Sequence, residues 1–120
     1  MSTITLPWPP LNNRFYRHRA MKGHAVVYLS PEGAQYKENA GMLALSQWHR
    51  EPLQGPVELM VRLYRPKAVG DIDGPLKAIL DSMSGVLYLD DKQIIRLVVD
   101  RLDDKAWPRV ELEVVEVEGT

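Results

Sequence analysis

Val57, Leu59, Val61 and Leu63 alternate with Glu58, Met60, Arg62 and Tyr64 in the stretch VELMVRLYR, and Pro66 follows directly. Period-two alternation of this kind describes a strand with one face on a core and the other toward water. Proline has no amide hydrogen to give a ladder, so the strand ends there. The short loop KAVG then leads into GDIDGPLKAILDSMSG, residues 70–85. Within it Leu76, Ile79, Leu80 and Met83 recur at i, i+3, i+4 and i+7, the stripe of an amphipathic helix. Strand, loop and helix in succession put the loop at a strand end, where functional groups concentrate.

That loop carries Asp71 and Asp73. In extended chain the two carboxylates share a side and Ile72 takes the other. Asp73, just ahead of Gly74 and Pro75, is a natural N-cap for the helix, and the free N–H groups and dipole of a helix start favour its ionised form. Lys77 sits one turn further on and projects toward the same end. After Gly85, VLYLDDKQ supplies Asp90 and Asp91. Adjacent side chains point apart, so one of the two is expected to face the Asp71–Asp73 centre and the other to cap or hydrogen-bond.

The remaining elements are simpler. Ile4–Trp8 suggests a strand stopped by Pro9 and Pro10. From Asn12 to His24 there is no acid, while Arg14, Arg17, Arg19 and Lys22 mingle with Phe15, Tyr16 and His18. Such a stretch suits a nucleic-acid surface, cations for phosphates beside rings for bases; it also suits a solvated basic loop anchored by its aromatics. His24–Ser30 is a second strand, and Ser30-Pro31-Glu32 starts a helix with Tyr36, Ala40, Leu43 and Ala44 as its buried stripe, fading near Trp48. Ile94–Val99 forms another strand, followed by turn chemistry at Asp100, Asp103 and Asp104. In the last strand the phase slips between Val114 and Val115, as at a bulge or an exposed end beyond the sheet, and Glu111, Glu113, Glu116 and Glu118 form a wet face.

A chain of 120 residues suits one domain. No apolar run approaches a membrane span, and the first residues lack the basic and apolar regions of a signal peptide, so a cytoplasmic location is expected. With no cysteine, thiol catalysis and cysteine-held zinc are excluded. The net charge of -1 is divided along the chain: six Lys/Arg against two Glu in residues 1–50, nine against fourteen acids in residues 51–120. A basic surface flanking an acidic site has this pattern. Pro75 and Leu76 break an EF-hand reading, and the three histidines match no zinc motif. Aspartates from two segments with a nearby lysine best match an oxygen-ligand site for Mg2+ or Mn2+, of the sort that cleaves phosphodiesters. The plainer alternative is that Asp73 only caps, Lys77 pairs with Asp73 or Asp81, and Asp90 and Asp91 belong to a turn.

The segments TLPWPPLNNRFYRH, LSPEGAQYKENA, DIDGPLKAILDSM and VLYLDDKQI, in this order and in a chain of this length, resemble the RusA-type Holliday junction resolvases, crossover junction endodeoxyribonucleases of bacteria and their prophages. The resemblance implies a magnesium-dependent homodimer that binds four-way DNA junctions and makes paired nicks. By position it makes Asp71, Asp73 and Asp91 the metal carboxylates and Lys77 the essential lysine, with Asp90 a neighbouring acid. Asn13 and Arg14 fall in the family's N-terminal signature, and with Arg17, Arg19, Arg65 and Lys67 are the expected DNA contacts. Two departures stand out. Gly74-Pro75 replaces the asparagine that often follows the second aspartate, and RPKAVG replaces an arginine run.

The expected fold is α+β, a mixed sheet with two helices packed on it and the acidic site at one sheet edge. Exposed apolar surface on the final strands is the expected dimer interface. The rival to an active nuclease is a branched-DNA-binding protein with a degenerate site; a small interaction protein whose aspartates are caps is the third possibility.

Overall fold

The computed structural model describes residues 3–68 and 70–117, with backbone only at Asn12, Asn13 and Met21. In chain order the elements are β1 (Ile4–Pro7), α1 (Asn12–Phe15), β2 (Tyr16–Met21), β3 (His24–Leu29), α2 (Pro31–Trp48), β4 (Val57–Arg65), α3 (Leu76–Met83), a 3-10 turn at Asp91–Gln93, β5 (Ile94–Asp103) and β6 (Arg109–Glu116). Four strands form one sheet in the order β1-β6-β4-β5, and β2 and β3 form a separate hairpin. Strand β5 runs parallel to β4, while β6 runs antiparallel to both β4 and β1, so the sheet is mixed. A parallel pair needs a crossover, and α3 lies within it.

The alternation in β4 is realised in full: Val57, Leu59, Val61 and Leu63 are buried and their neighbours are partly exposed. They meet Ile4, Leu6, Val110 and Leu112 from the flanking strands and Tyr36, Ala40, Ala44, Ile79 and Met83 from the two long helices in one core. Ser30 caps α2, its hydroxyl accepting from the Gly33 amide at 2.9 Å, with Pro31 at the first helical position. The stripe of α2 is Gly33, Tyr36, Ala40, Ala44 and Trp48; Leu43, expected on it, is exposed, because a stripe that advances in steps of four from 36 to 48 leaves residue 43 at its margin.

Several other expectations are corrected. Asp73 does not cap α3: the helix starts after Pro75 with no side-chain cap, and Asp73 instead accepts the Leu76 amide on its backbone carbonyl at 3.1 Å. The residue before a proline is steered out of helical conformation, so Gly74 cannot open the helix and the start moves past Pro75. As expected, Asp71 and Asp73 lie past the end of β4 at Arg65 and ahead of α3, but in a loop and turn rather than in extended chain. The stretch from Asn12 is no loop but a short helix and a hairpin, closed by Lys22 and Gly23, both at positive φ (48° and 79°). Two such residues give the turn whose twist suits a two-residue hairpin. Asp100 and Asp103 lie in β5, leaving only Asp104 for the turn.

The phase slip at Val114–Val115 is not a bulge in β6, which pairs with β4 in unbroken register to Glu116; the irregularity lies at Val57/Glu58 against β5. The glutamates of β6 do more than face water. Arg62 reaches Glu111 and Glu113 at 3.1 and 3.5 Å, and Arg109, stacked 3.7 Å over Tyr64, joins Glu111 to Asp104. Cross-strand pairing of opposite charges therefore organises the half-solvated face. Glu118 lies outside the described residues.

Candidate active site

The turn that carries Asp90 and Asp91 is built from both sides. Upstream, Tyr88 is buried and donates from its hydroxyl to the Leu80 carbonyl at 2.9 Å, fastening the chain to α3. Downstream, Gln93 uses its whole amide. Its nitrogen donates to the Leu53 and Gly55 carbonyls and its oxygen accepts the Leu89 and Asp90 amides, all at 2.8 Å. Asp90 caps the turn, its carboxylate accepting the Lys92 amide at 2.9 Å, and forms a capping box with Gln93, whose side-chain oxygen accepts the Asp90 amide. The prediction is that Gln93→Ala, by freeing these partners, lowers stability by about 2–3 kcal/mol in a denaturation series; a loss under about 0.5 kcal/mol would mean that water replaces the side chain without consequence.

Asp91 follows at the edge of a cleft of about 480 Å3 that Tyr16, Tyr28, Lys37, Lys77, Asp81, Ser84 and Asp90 also line. Lys77 occupies a defined place in it. Its Nζ lies 3.3 Å from Asp81 Oδ2, one helical turn on, and 4.3 Å from the centre of the Tyr16 ring. The Tyr16 hydroxyl in turn donates to the same Asp81 oxygen. Burial, then the bond to Asp81, raises the Tyr16 hydroxyl well above its ordinary pKa, so it is a neutral donor. The neighbouring carboxyls are driven apart. Asp90 is held low, first by the Lys92 amide, whereas burial and then the Asp90 and Asp81 carboxylates push Asp91 up, with Lys77 opposing.

A second cleft, of about 690 Å3, holds other expected residues. Asp71 lines it with Arg14, Arg65, Lys67, Arg101, Trp8 and Pro75. Arg101 donates from β5 to the Gly70 carbonyl at 2.9 Å, beside the loop that bears Asp71. Arg65 is engaged with Asp103. Asp73 is exposed and lines neither cleft. Lys77, Asp90 and Asp91 thus line one cleft, Asp71 lines another, and Asp73 lines neither. Among the described residues no three carboxylates or histidines are placed to hold one metal ion. Arg17 and Arg19 are exposed on the hairpin, Arg19 lying 6.0 Å from the Tyr28 ring centre. The side chain of Asn13 lies outside the described residues. Phe15 and Tyr16 belong to the core, which removes both from any base-stacking surface.

The family model for endodeoxyribonuclease RusA matches residues 7–115. The chain belongs to the RusA family. Crossover junction endodeoxyribonuclease RusA of Escherichia coli (strain K12) is 32% identical over 96% of this chain and 94% of its own length. The protein of the same name from Enterobacteria phage 82 is 32% identical over 95% and 93%. That of Shigella sonnei (strain Ss046) is 32% identical over 96% and 94%.

Three residues of this RusA-family site lie outside the expectations drawn from its sequence. Asp81 stood out only as an ion-pair partner at i+4 from Lys77. Gln93 did carry a signal: Asp90 and Gln93 stand three residues apart just ahead of the apolar run Ile94–Val99, the sequence form of a capping box. Tyr16 was one aromatic among several in a basic stretch, and nothing local brings it to residue 81. The donor chemistry suits a hard cation: Asp81, Asp90 and Asp91 offer carboxylate oxygens to one cleft, with Asp91 crowded by like charges that a cation would relieve. Among the described residues no helix is long and apolar enough to cross a membrane.

Proposed function

We propose that this RusA-family protein is a structure-selective endodeoxyribonuclease that resolves four-way DNA junctions by paired nicks, acting in the bacterial cytoplasm as a homodimer. The junction has approximate twofold symmetry and needs two cuts, which one site in each of two protomers supplies. Asp71, Asp73 and Asp91, which line no common cleft in the free chain, would hold Mg2+ once brought together on DNA, with Mn2+ as a substitute. Such an ion polarises the phosphate and lowers the pKa of bound water. Lys77 lines the cleft with Asp91, and its ammonium group, paired with Asp81 through one N–H, would turn the others to a phosphate oxygen and offset charge that develops as the bond breaks. Arg17 and Arg19 on the hairpin, and Arg14, Lys67 and Arg101 at the second cleft, would track the backbone without reading sequence.

The observation that carries this reading is the Lys77–Asp91 cleft beside a projecting basic hairpin, in a chain aligned with named junction nucleases over nearly all its length. A second reading, binding of branched DNA without cleavage, draws on the separation of Asp71 from Asp91 into different clefts. An end-labelled four-way junction, set against a linear duplex of the same sequence with magnesium and with EDTA, decides between them. Paired, junction-specific nicks in magnesium alone are expected. Tight binding without nicks in magnesium or manganese would establish the second reading.

A further inference from the structure

We infer that Tyr16 and Asp81 are positioning residues that hold the Lys77 ammonium in the cleft it shares with Asp91, an inference that rests on the role proposed above for Lys77. A lysine on an exposed helix face swings freely on a four-carbon stem, and its side chain here is 61% exposed. Two contacts restrict it. The Tyr16 ring covers one side at 4.3 Å, and Asp81 engages it at 3.3 Å.

These partners are themselves joined, because the Tyr16 hydroxyl donates to the Asp81 oxygen that Lys77 approaches. The result is a closed cycle of three side chains from the start of β2 and from α3. Its anchor is rigid: Tyr16 is buried and packs against Phe15 with ring centres 4.7 Å apart. A tyrosine serving only the core would leave its hydroxyl to solvent or to the backbone, whereas this one ends on the carboxylate that pairs with the site's lysine. With one of its three N–H bonds on Asp81, the ammonium keeps two for the cleft. Without the cycle, Lys77 would be free to swing out of the cleft into solvent.

The test uses Tyr16→Phe, which keeps the ring, Tyr16→Leu, which removes it, and Asp81→Asn. Each is read for nicking rate at saturating junction, junction affinity in EDTA, melting temperature, and the NMR shift of the Lys77 side-chain protons without DNA. Stacking on a ring shifts those protons upfield. Tyr16→Phe and Asp81→Asn are expected to slow nicking about 10-fold and Tyr16→Leu about 100-fold, affinity staying within about 2-fold, as for misplaced groups. The ring shift should survive in Tyr16→Phe and vanish in Tyr16→Leu. Full nicking rates in Tyr16→Phe and Asp81→Asn would overturn the proposal, as would Lys77 protons with no ring shift in the parent. Should the parent nick no junction, the function proposed above fails by itself, and the NMR shift still decides whether the cycle holds the lysine.

Discussion

Asp91→Asn is expected to slow junction nicking by on the order of 10³-fold while leaving junction binding intact, the loss typical when one charged member of a catalytic set is removed. Asparagine matches aspartate in shape, so the turn fastened by Gln93 and Tyr88 should persist. What changes is charge. Burial, with Asp90 and Asp81 close by, raises the Asp91 pKa, so the folded protein disfavours its ionised form. A carboxyl raised in this way favours the fold below its unfolded pKa and loses that contribution as pH rises through its folded value. At neutral pH the variant therefore sheds an unfavourable charge, and its melting temperature should hold or rise as activity falls. Opposed changes of this kind mark a group kept for function rather than for the fold.

Binding to a polyanion should likewise hold or tighten with one negative charge fewer. Parental nicking rates in Asp91→Asn would remove Asp91 from the site. Companion variants Asp71→Asn and Asp73→Asn sharpen the result, since these residues lie outside the Asp91 cleft. Loss of nicking in all three means that the separated carboxylates act together on DNA. Loss in Asp91→Asn alone would confine the chemistry to the cleft of Lys77, Asp81 and Asp91.

The elements with clear periodicity were legible from the residues alone. The alternation of β4 and the cap and proline of α2 are local signals that tertiary structure had no reason to override. The same holds for the apolar stripe of α3, where Ile79 and Met83 are buried. What failed was of two kinds. Backbone choices set by one neighbour, such as Pro75 moving the start of α3 and so freeing Asp73 from capping, reverse a side-chain inference made from spacing. Strand β3 was legible in the residues, but its partner β2 escaped because residues 17–20, like 22–28, are exposed on both faces, so no alternation marks it. In the site, the aspartates and Lys77 stood out as residue types in a short window, whereas the contacts that hold them do not. Tyr16 meets Asp81 across 65 positions and Gln93 meets Leu53 across 40. Contacts of that reach depend on how α3 and the chain start settle on the sheet, and no local pattern encodes them.

The junction between α1 and α2 shows how strictly that settling is fixed, and Gly33→Ala should expose it with a net destabilisation of about 2–3 kcal/mol, the cost of forcing volume into a packed site. A methyl group at residue 33 would lie 2.2 Å from the Phe15 carbonyl oxygen and 3.0 Å from its carbon. Both are backbone atoms, so no side chain can swing aside. The carbonyl is itself pinned, accepting the Ser30 amide at 3.0 Å and the Ser30 hydroxyl at 3.2 Å, while that hydroxyl also accepts from Gly33. Relief would have to move Phe15, which is wholly buried, and with it Tyr16. Alanine is otherwise the better helix former by about 1 kcal/mol, so the clash must exceed that gain. Gly41→Ala, in the same helix, is the control, because its added methyl meets only Val86 at 4.0 Å. It should stabilise by about 0.5–1 kcal/mol. In thermal melts Gly33→Ala is expected to lie about 8–12 °C below the parent. It should also nick more slowly while still folded, since displacing Tyr16 takes the ring away from Lys77. A Gly33→Ala protein that melts with or above the parent would show that α2 does not press on the Phe15 carbonyl, and would remove the anchor on which the placement of Tyr16 depends.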